Sequence, residues 1–413
     1  CYNESGGNIM FKKLSVIFLS LILMSACTTS STSKLSETSG ALTYSQAASL
    51  DPDLVKSIND LAFLLQDNNT DKNQFISSLS IYLALAMTAH GTSGTSYDQF
   101  MALLNPQGLS ETEWLMQLKV LQGNLNATEK VKIALANSLW IRDSFADQVK
   151  TDFLSRNKDY FGAMIAAADF NKAQAVDDIN GWVKKNTNKM IEKVIDEIDP
   201  STIMFLINTI YFKGNWLSPF EAEATRDAVF HGSSDKTVEF MNQIGSFKYV
   251  QNNDIQAILM PYEGNTTGML IVMSPNDPIP LKSDADFQNI LASLQNSSVK
   301  VVMPKVDIAT SLLLNDPLAG LGLTDPFIAG VADFSRLSDA ELFISKVLHK
   351  THLKIDEKGT EAAAATVVII DETSLPVADV TMTIDRPFQV FIIDQDNQLI
   401  LFSGSIQDVQ SAE

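Results

Sequence analysis

The spacing of apolar residues predicts helices in the first half of the chain. After the start signal Asp51-Pro52, apolar residues recur at intervals of three or four, which is typical of one helix face. Residues 80–89 are almost all apolar and predict a buried helix that stops at His90-Gly91. Ser110-x-x-Glu113 has the pattern of a capping box, and a further helix is expected over residues 177–189.

Runs rich in apolar and β-branched residues predict strands, mostly in the second half. They cover residues 131–141, 203–212, 255–261, 269–274, 299–306, 352–356, 387–394 and 399–406. Because helices crowd the first half and strands the second, without regular alternation, the pattern predicts an α+β fold with a mixed or antiparallel sheet. No Pro/Gly-rich linker divides the chain after residue 50, so we interpret residues 49–408 as one large domain and 409–413 as a tail.

The acidic composition restricts the classes of partner. The chain has 49 acidic and 30 basic residues, which gives a formal net charge of −19, and no block of like charges concentrates it. Nucleic-acid binding requires a basic face, so we expect no nucleic acid among the partners.

The N-terminal segment has the pattern of an export signal. Lys12-Lys13 precede an apolar run over 14–24, and small residues lead to Cys27. We expect residues 1–26 to be a signal peptide, with Met10 as the true start. We expect lipidation of Cys27 and a flexible Ser/Thr-rich tether over 27–48. A plain secretory peptide and an uncut anchor remain alternatives. The only other cysteine is Cys1, so the mature chain has no internal disulfide.

The residue patterns of common catalytic and cofactor sites do not occur in this sequence. There is no Gly-x-Ser-x-Gly, His-Glu-x-x-His, paired Cys-x-x-Cys or glycine-rich phosphate loop. His349 and His352 have a spacing that metal ligands use, but strand alternation puts them on opposite faces. We therefore expect no enzyme, no metal and no cofactor.

Residues 344–366 are the most informative segment of the chain. An alternating strand over 353–356 leads through Gly359 into four consecutive alanines. Such small side chains, with no proline before Pro376, suit a segment that enters a sheet as a new central strand. In that strand one face carries Thr360, Ala362, Ala364, Thr366, Val368 and Ile370. On composition alone, the same run fits an alanine-rich helical turn or a disordered loop.

Several other stretches share a family pattern with this segment. They are Asn73–Ile81, Ala136–Trp140, Ile179–Val183, Leu206–Trp216, Pro219-Phe220, Asp385–Phe388 and Phe402–Gly404. Together they closely resemble the serpins, which trap proteases by inserting their own cut loop into a β-sheet, and the resemblance covers essentially all of residues 50–408. One departure is Ser78, which stands where the family usually has proline.

The resemblance implies a serpin fold, with helices around a large central mixed sheet and an exposed reactive-centre loop. It also implies roles for particular residues. The hinge is Gly359, Thr360, Glu361, Ala362, Ala363, Ala364 and Ala365. The shutter, where the central strands part, comprises Ser77, Ser80, Asn208 and His349. Trp216 marks the breach, where the loop first enters. Family spacing from the hinge glycine places the reactive bond at Thr373-Ser374, and slippage would present Glu372 or Leu375 instead.

The implied function is inhibition of serine endopeptidases by suicide-substrate loop insertion. A small β-branched Thr373 suits a shallow, elastase-like specificity pocket, and cysteine proteases are a second target class. The partners are then a target protease, held as a covalent acyl-enzyme, and a membrane reached through lipidated Cys27. We expect an envelope-anchored or extracellular monomer. The alternative is a non-inhibitory serpin-fold binding module on the cell envelope.

Overall fold

The computed structural model of the protein describes residues 49–66, 72–126, 130–277, 279–360 and 378–409, together with the backbone of Ser33–Ser36. Four features predicted above lie outside the described residues: the signal segment with Cys27, hinge residues Glu361–Ala365, the alternative cut positions, and the reactive bond Thr373-Ser374.

Eight helices lie in the described part of the chain. They are α1 Pro52–Leu64, α2 Ser78–Ala89, α3 Gly94–Leu104, α4 Glu111–Asn126, α5 Thr151–Tyr160, α6 Ala173–Asn186, α7 Asp284–Ser293 and α8 Asn315–Gly320. The predicted capping box is present, because the Glu113 N–H donates to Ser110 Oγ and the Ser110 N–H donates to the Glu113 carboxylate. None of the helices among these residues has the length and apolar character needed to cross a bilayer.

The described strands form two sheets. In chain order they are β1 Ser33–Ser36, β2 Gln74–Ile76, β3 Lys132–Arg142, β4 Met164–Ala168, β5 Met204–Asn215, β6 Arg226–His231, β7 Asp235–Gln251, β8 Gln256–Pro261, β9 Thr267–Met273, β10 Gln295–Pro304, β11 Val306–Leu313, β12 Lys346–Asp356, β13 Gly359–Thr360, β14 Val380–Thr383, β15 Phe388–Asp394 and β16 Leu399–Ile406. The seven-stranded sheet, here sheet A, has the order β1-β4-β3-β5-β13-β12-β11. The nine-stranded sheet, here sheet B, has the order β14-β10-β7-β8-β9-β15-β16-β2, with β6 paired to β7.

Sheet A is mixed, as the sequence pattern predicts. β5 and β12 pair in parallel, β3 and β4 pair in parallel, and the remaining neighbours are antiparallel. With helices packed around two large sheets, the predicted α+β fold is confirmed.

The fully buried helix α2 joins the two sheets. Every residue of α2 is buried, and the helix contacts β5 of sheet A and β16 of sheet B. A helix that is apolar all round is stable only when it is enclosed on all sides. On the outer face of sheet A, α6 packs Ile179 and Val183 against Phe205 and Ile207. β5 of sheet A is therefore covered on both faces around Phe205 and Ile207, by α2 on the inner side and by α6 on the outer side.

The structure differs from the sequence prediction at three places. The helix expected over 177–189 spans Ala173–Asn186, because Asn188 and Lys189 have φ values of +51° and +69°, which a helix does not allow. The buried strand β4 was not predicted, since its sequence Met-Ile-Ala-Ala-Ala has little strand propensity and is held by its neighbours. Ser33–Ser36, inside the segment expected to be a tether, pairs with β4 as the edge strand of sheet A. The tether over the rest of residues 27–48 stays a prediction.

Candidate functional site between the central strands of sheet A

β5 and β12 are paired directly over only part of their length. Their parallel register runs from Phe205 opposite Lys346 to Thr209 opposite Lys350. Farther along, β13 lies between them, with Thr360 opposite Gly214 on one side and Ile355 on the other. Neither pairing covers residues 210–213 of β5 or 351–354 of β12, and we call this interval the insertion gap.

A buried polar cluster holds the closed end of the insertion gap. The Ser77 backbone N–H donates to Nε2 of His349 over 3.1 Å, and Nδ1 of His349 lies 2.7 Å from Oδ1 of Asn208. Because Nε2 accepts a hydrogen bond, the single proton of the neutral imidazole lies on Nδ1 and is donated to Asn208. His349 and Asn208 are also register partners, so this hydrogen bond joins β12 directly to β5.

The amide of Asn208 extends the cluster to α2 and β3. Its Nδ2 lies 2.5 to 2.6 Å from the carbonyl and hydroxyl oxygens of Ser80 and from Oδ1 of Asn137. Ser77 caps α2 by accepting from the Ser80 N–H, and its own hydroxyl donates to the Leu401 carbonyl. A cluster of this kind is stable only because nearly all of its polar atoms have partners.

Burial determines the protonation state of His349. The side chain is fully enclosed, and desolvation lowers the pKa of His349 from 6.5 to about 3. Protonation would also place an N–H on Nε2, facing the N–H of Ser77. The cluster is therefore assembled around a neutral histidine.

The other end of the insertion gap, which we call its open end, lies at Gly214 and Ile355 and is occupied by Thr360 of the hinge. Thr360 is 3% exposed, and its hydroxyl lies 2.6 Å from the hydroxyl of Tyr262. The Tyr262 ring stacks on Trp216, with ring centroids 4.7 Å apart and planes 6° apart. Burial raises the pKa of Tyr262, so its hydroxyl stays protonated. The indole N–H of Trp216 donates to the Asp356 carbonyl over 3.0 Å, which fixes the end of β12.

Gly359 is required by the close approach of β13 to β5. A Cβ at this position would lie 2.1 Å from the Gly214 carbonyl oxygen and 2.8 Å from Cα of Asn215. Its φ of +153° is also one that other residues rarely adopt. No side chain could be accommodated there without moving β5.

A salt bridge beside the hinge was missed by sequence reasoning. Lys305 lies 2.9 Å from Glu357 and 3.1 Å from Glu239, and the Thr225 hydroxyl donates to Glu357 over 2.8 Å. Burial alone would raise the pKa of Glu357, but the hydrogen bonds from Lys305 and Thr225 together hold it below its ordinary value. The group ties the turn before Gly359 to β7 and to the segment after β10.

The structure brings all four predicted shutter residues together. Ser77, Ser80, Asn208 and His349 form one cluster, and Trp216 lies apart from it, beside Thr360 at the other end of the gap. Ser78 occupies the first turn of α2, directly after its cap Ser77. His349 and His352 point to opposite faces of β12, and His352 pairs instead with Asp307 at 2.6 Å. Tyr262 and the Glu357–Lys305 pair were not predicted, because no local pattern marks them.

A two-residue strand seated between two central strands, with an unpaired interval between it and the point where those strands pair directly, is the architecture of a serpin. The family model for Serpin (serine protease inhibitor) matches residues 57–409, and the chain belongs to this family. Serpins as a family inhibit proteases rather than catalyse reactions.

Individual relatives support the same assignment. The chain is 32% identical over 374 residues to an uncharacterized serpin-like protein of Thermococcus kodakarensis, covering 86% of this chain and 85% of the relative. It is 33% identical over 367 residues to the leukocyte elastase inhibitor of Bos taurus, covering 84% and 96%. Among solved structures, the native state of the thermophilic serpin tengpin superimposes with a TM-score of 0.81 at 30% identity, over 92% of this chain and all of tengpin. Thyroxine-binding globulin in complex with thyroxine gives 0.77 at 26% identity, over 86% and 99%.

The neutral state of His349 generates a pH prediction. The unfolded chain protonates His349 near pH 6.5 and the folded protein only near pH 3, so stability from this residue is full above pH 6.5 and is lost as the pH falls toward 3. The whole loss is on the order of 5 kcal/mol. We expect His349→Gln, whose amide can both accept from Ser77 and donate to Asn208, to lose less stability than the wild type between pH 7 and 4.5 in urea unfolding. His231→Gln, at an exposed histidine, is the matched control. Equal pH dependence in wild type and His349→Gln would contradict the assignment.

Proposed function

We propose that the chain inhibits serine endopeptidases as a suicide substrate whose cut loop extends β13 into the insertion gap. The observation that carries the proposal is Thr360, which is already seated between β5 and β12. A protease attacks the loop and forms an acyl-enzyme on the reactive bond. Strand insertion then moves the acyl-enzyme away before hydrolysis completes.

Strand completion supplies enough free energy for this step. A new central strand of about a dozen residues gains hydrogen bonds on both edges, each worth roughly 0.5–1.5 kcal/mol net, or on the order of 10 kcal/mol in total before apolar burial. A protease is itself only marginally stable, so distortion of its active site lies within this range.

The register of β13 is compatible with full insertion. Thr360 is opposite Gly214 and Ile355, so continuing the antiparallel strand places Thr366 opposite both Asn208 and His349. The incoming strand must therefore separate the hydrogen bond between these two residues, and it brings a hydroxyl to the same buried point. A polar residue there preserves partners that an apolar side chain would remove.

Small hinge residues are what distinguish an inhibitor from a serpin that only binds. Glu361 is the one charged residue in the hinge, and Ala362, Ala363, Ala364 and Ala365 offer no bulk to oppose entry. The similarity to thyroxine-binding globulin, a structure that contains a small-molecule ligand, keeps a non-inhibitory binding module as the second candidate. In this chain the small hinge residues favour inhibition over that second candidate.

We place the reactive bond at Thr373-Ser374 and the target class among elastase-like proteases. The small Thr373 suits a shallow pocket, and no basic residue lies near the cut to attract trypsin-like enzymes. One relative is a leukocyte elastase inhibitor, which supports the same class. Cysteine proteases, which also form acyl-enzymes, are the second target class.

We place the protein at the cell envelope as a monomeric lipoprotein. Cys27, at the end of the signal segment 1–26, is the residue acylated, and residues 49–408 form the inhibitory domain.

Replacement of Thr360 tests loop insertion directly. Thr360→Arg would place an unpaired charge against Tyr262 in a buried site, so we expect the variant to be cleaved as a substrate without forming an SDS-resistant complex. The wild type should form that complex with an elastase-like protease, and loop cleavage should raise its thermal unfolding midpoint. Thr112→Arg, at an exposed threonine of α4, is the control. Persistent complexes in Thr360→Arg would refute the mechanism.

The position of the cut is tested by the peptide that the protease releases. Mass spectrometry of the C-terminal fragment should give Ser374 as its first residue, and Thr373→Arg should transfer inhibition from elastase-like to trypsin-like proteases. The physical reason is that a long cationic side chain fits only a deep pocket with an acidic floor. A fragment beginning at Thr373 or at Pro376 would instead assign the cut to Glu372 or Leu375.

Anchoring is tested at Cys27. Cys27→Ser removes the thiol that lipidation needs, so the exported protein should move from the membrane fraction to the soluble fraction. Radiolabelled palmitate should mark the wild type alone. Unchanged fractionation would show that the protein is secreted without a lipid or retained by its uncut signal segment.

A further inference from the structure

Three lysines form a row across the outer face of sheet A, at the open end of the insertion gap. Lys132 on β3 is the register partner of Lys213 on β5, and Lys354 on β12 faces outward on the opposite edge of the insertion gap from Lys213. Lys132 and Lys354 are exposed, and Lys213 is partly buried. We call Lys132, Lys213 and Lys354 the lysine row.

The lysine row lacks acidic partners in the described part of the chain. Two ammonium groups directly opposite each other on one sheet face repel, which is destabilising unless an anion lies between them. Lys132 lies over the ring of Tyr211, with Nζ 5.9 Å from the centroid, and forms no ion pair among these residues. The same holds for Lys213 and Lys354.

The nearest carboxylates on β11 and β12 have other partners. Asp307 is the register partner of Lys354 but contacts His352 at 2.6 Å. Asp356, two residues along β12, accepts a hydrogen bond from the Lys358 backbone N–H at 2.9 Å. The side of Lys354 that faces the insertion gap is therefore left for a further anion.

The register of β13 identifies that anion. Thr360 is opposite Gly214 and Ile355, so the next residue of an extended β13 falls opposite Lys213 on one side and Lys354 on the other. The Thr360 side chain points inward to Tyr262, so its successor points outward, to the face that carries the lysine row. The successor is Glu361.

We propose that Lys213 and Lys354, with Lys132 beside them, form the docking site for the Glu361 carboxylate when the loop inserts. This inference rests on the proposed function. The occupant is the segment of this chain that follows Thr360, where the described chain stops at the mouth of the site. Side chains directly opposite on neighbouring strands have Cβ atoms about 5 Å apart, within reach of a glutamate–lysine ion pair on each side. Forming both pairs is the first gain of insertion, because Glu361 is the first residue to enter.

A narrow cleft marks the path of this step. It is lined by Ile210, Tyr211, Phe212, His352, Lys354 and Thr360 of the insertion gap and the hinge, and by Thr187, Met190 and Ile191 of the segment after α6. The cleft has room for about one water molecule, so the central strands must separate and the segment after α6 must give way as Glu361 enters. Entry of Glu361 is followed by alanines, which add little volume beside these side chains.

The test is a mutant cycle on the cleaved protein. Glu361→Gln and the double variant Lys213→Gln/Lys354→Gln are cut in the loop, and their unfolding midpoints are measured against the intact forms in urea, which does not screen ion pairs. Each lost ion pair should lower the midpoint of the cleaved form by about 2 °C in a parallel thermal scan. The variant that combines all three changes should lose no more than the double variant. Lys158→Gln, at an exposed lysine of α5, is the matched control.

Charge reversal supplies the second arm. Glu361→Lys should reduce the stabilisation on cleavage more than Glu361→Gln does, and Lys213→Glu/Lys354→Glu in the same chain should restore it, with the restored gain weakening in high salt. Additive losses in the mutant cycle, or no rescue by reversal, would overturn the docking site. If the cleaved wild type unfolds no later than the intact protein, the proposed function itself fails, and the two outcomes are thus distinguishable.

Discussion

The structure depends on the incomplete pairing of β5 with β12. Their direct pairing stops at Thr209 and Lys350, and pairing through β13 begins only at Gly214 and Ile355. A sheet is stabilised by hydrogen bonds along both edges of every strand, so an interval that lacks a ladder between two central strands is a site for a further strand. The buried cluster around His349 and Asn208 holds this interval at one end, and Thr360 with Tyr262 closes it at the other. The lysine row lies on its outer face.

Both ends of the insertion gap are held by hydrogen bonds between polar side chains, and this lowers the free-energy cost of opening the sheet. Apolar packing is lost in proportion to the area that separates. A buried hydrogen bond, in contrast, can be exchanged for another at a net cost of only about 1 kcal/mol, provided that a new partner arrives. His349 with Asn208 and Tyr262 with Thr360 are contacts of this exchangeable kind. They stabilise the closed sheet without making its opening prohibitive.

The sequence predicted those parts of the site that local pattern encodes. The hinge is marked by glycine and consecutive alanines, and the buried helix α2 by a run of almost entirely apolar residues. Asn208 and His349 came from family resemblance, since neither has a distinctive local setting. Tyr262 could not be found in this way, because its hydroxyl meets Thr360, 98 residues later, through the register of three strands. The Glu357–Lys305 pair and the lysine row depend on the same long-range register. Strand β4 shows the opposite failure, since its alanines join the sheet against their propensity.

The electrostatic setting explains why an acidic hinge residue would need cations on the sheet. The chain carries a net charge of −19, so an approaching carboxylate meets a repulsive field over much of the surface. Lysines at the mouth of the insertion gap reverse that field locally, within roughly one Debye length of about 8 Å at physiological salt. Because these lysines lie at the sheet surface and not in the core, an ion pair there avoids the desolvation cost of burial and remains weak. A weak site favours entry of the first residue, but most of the free-energy gain comes from the backbone hydrogen bonds that form afterwards. Because the ion pairs alone are weak, they do not drive the loop into the sheet before it is cut.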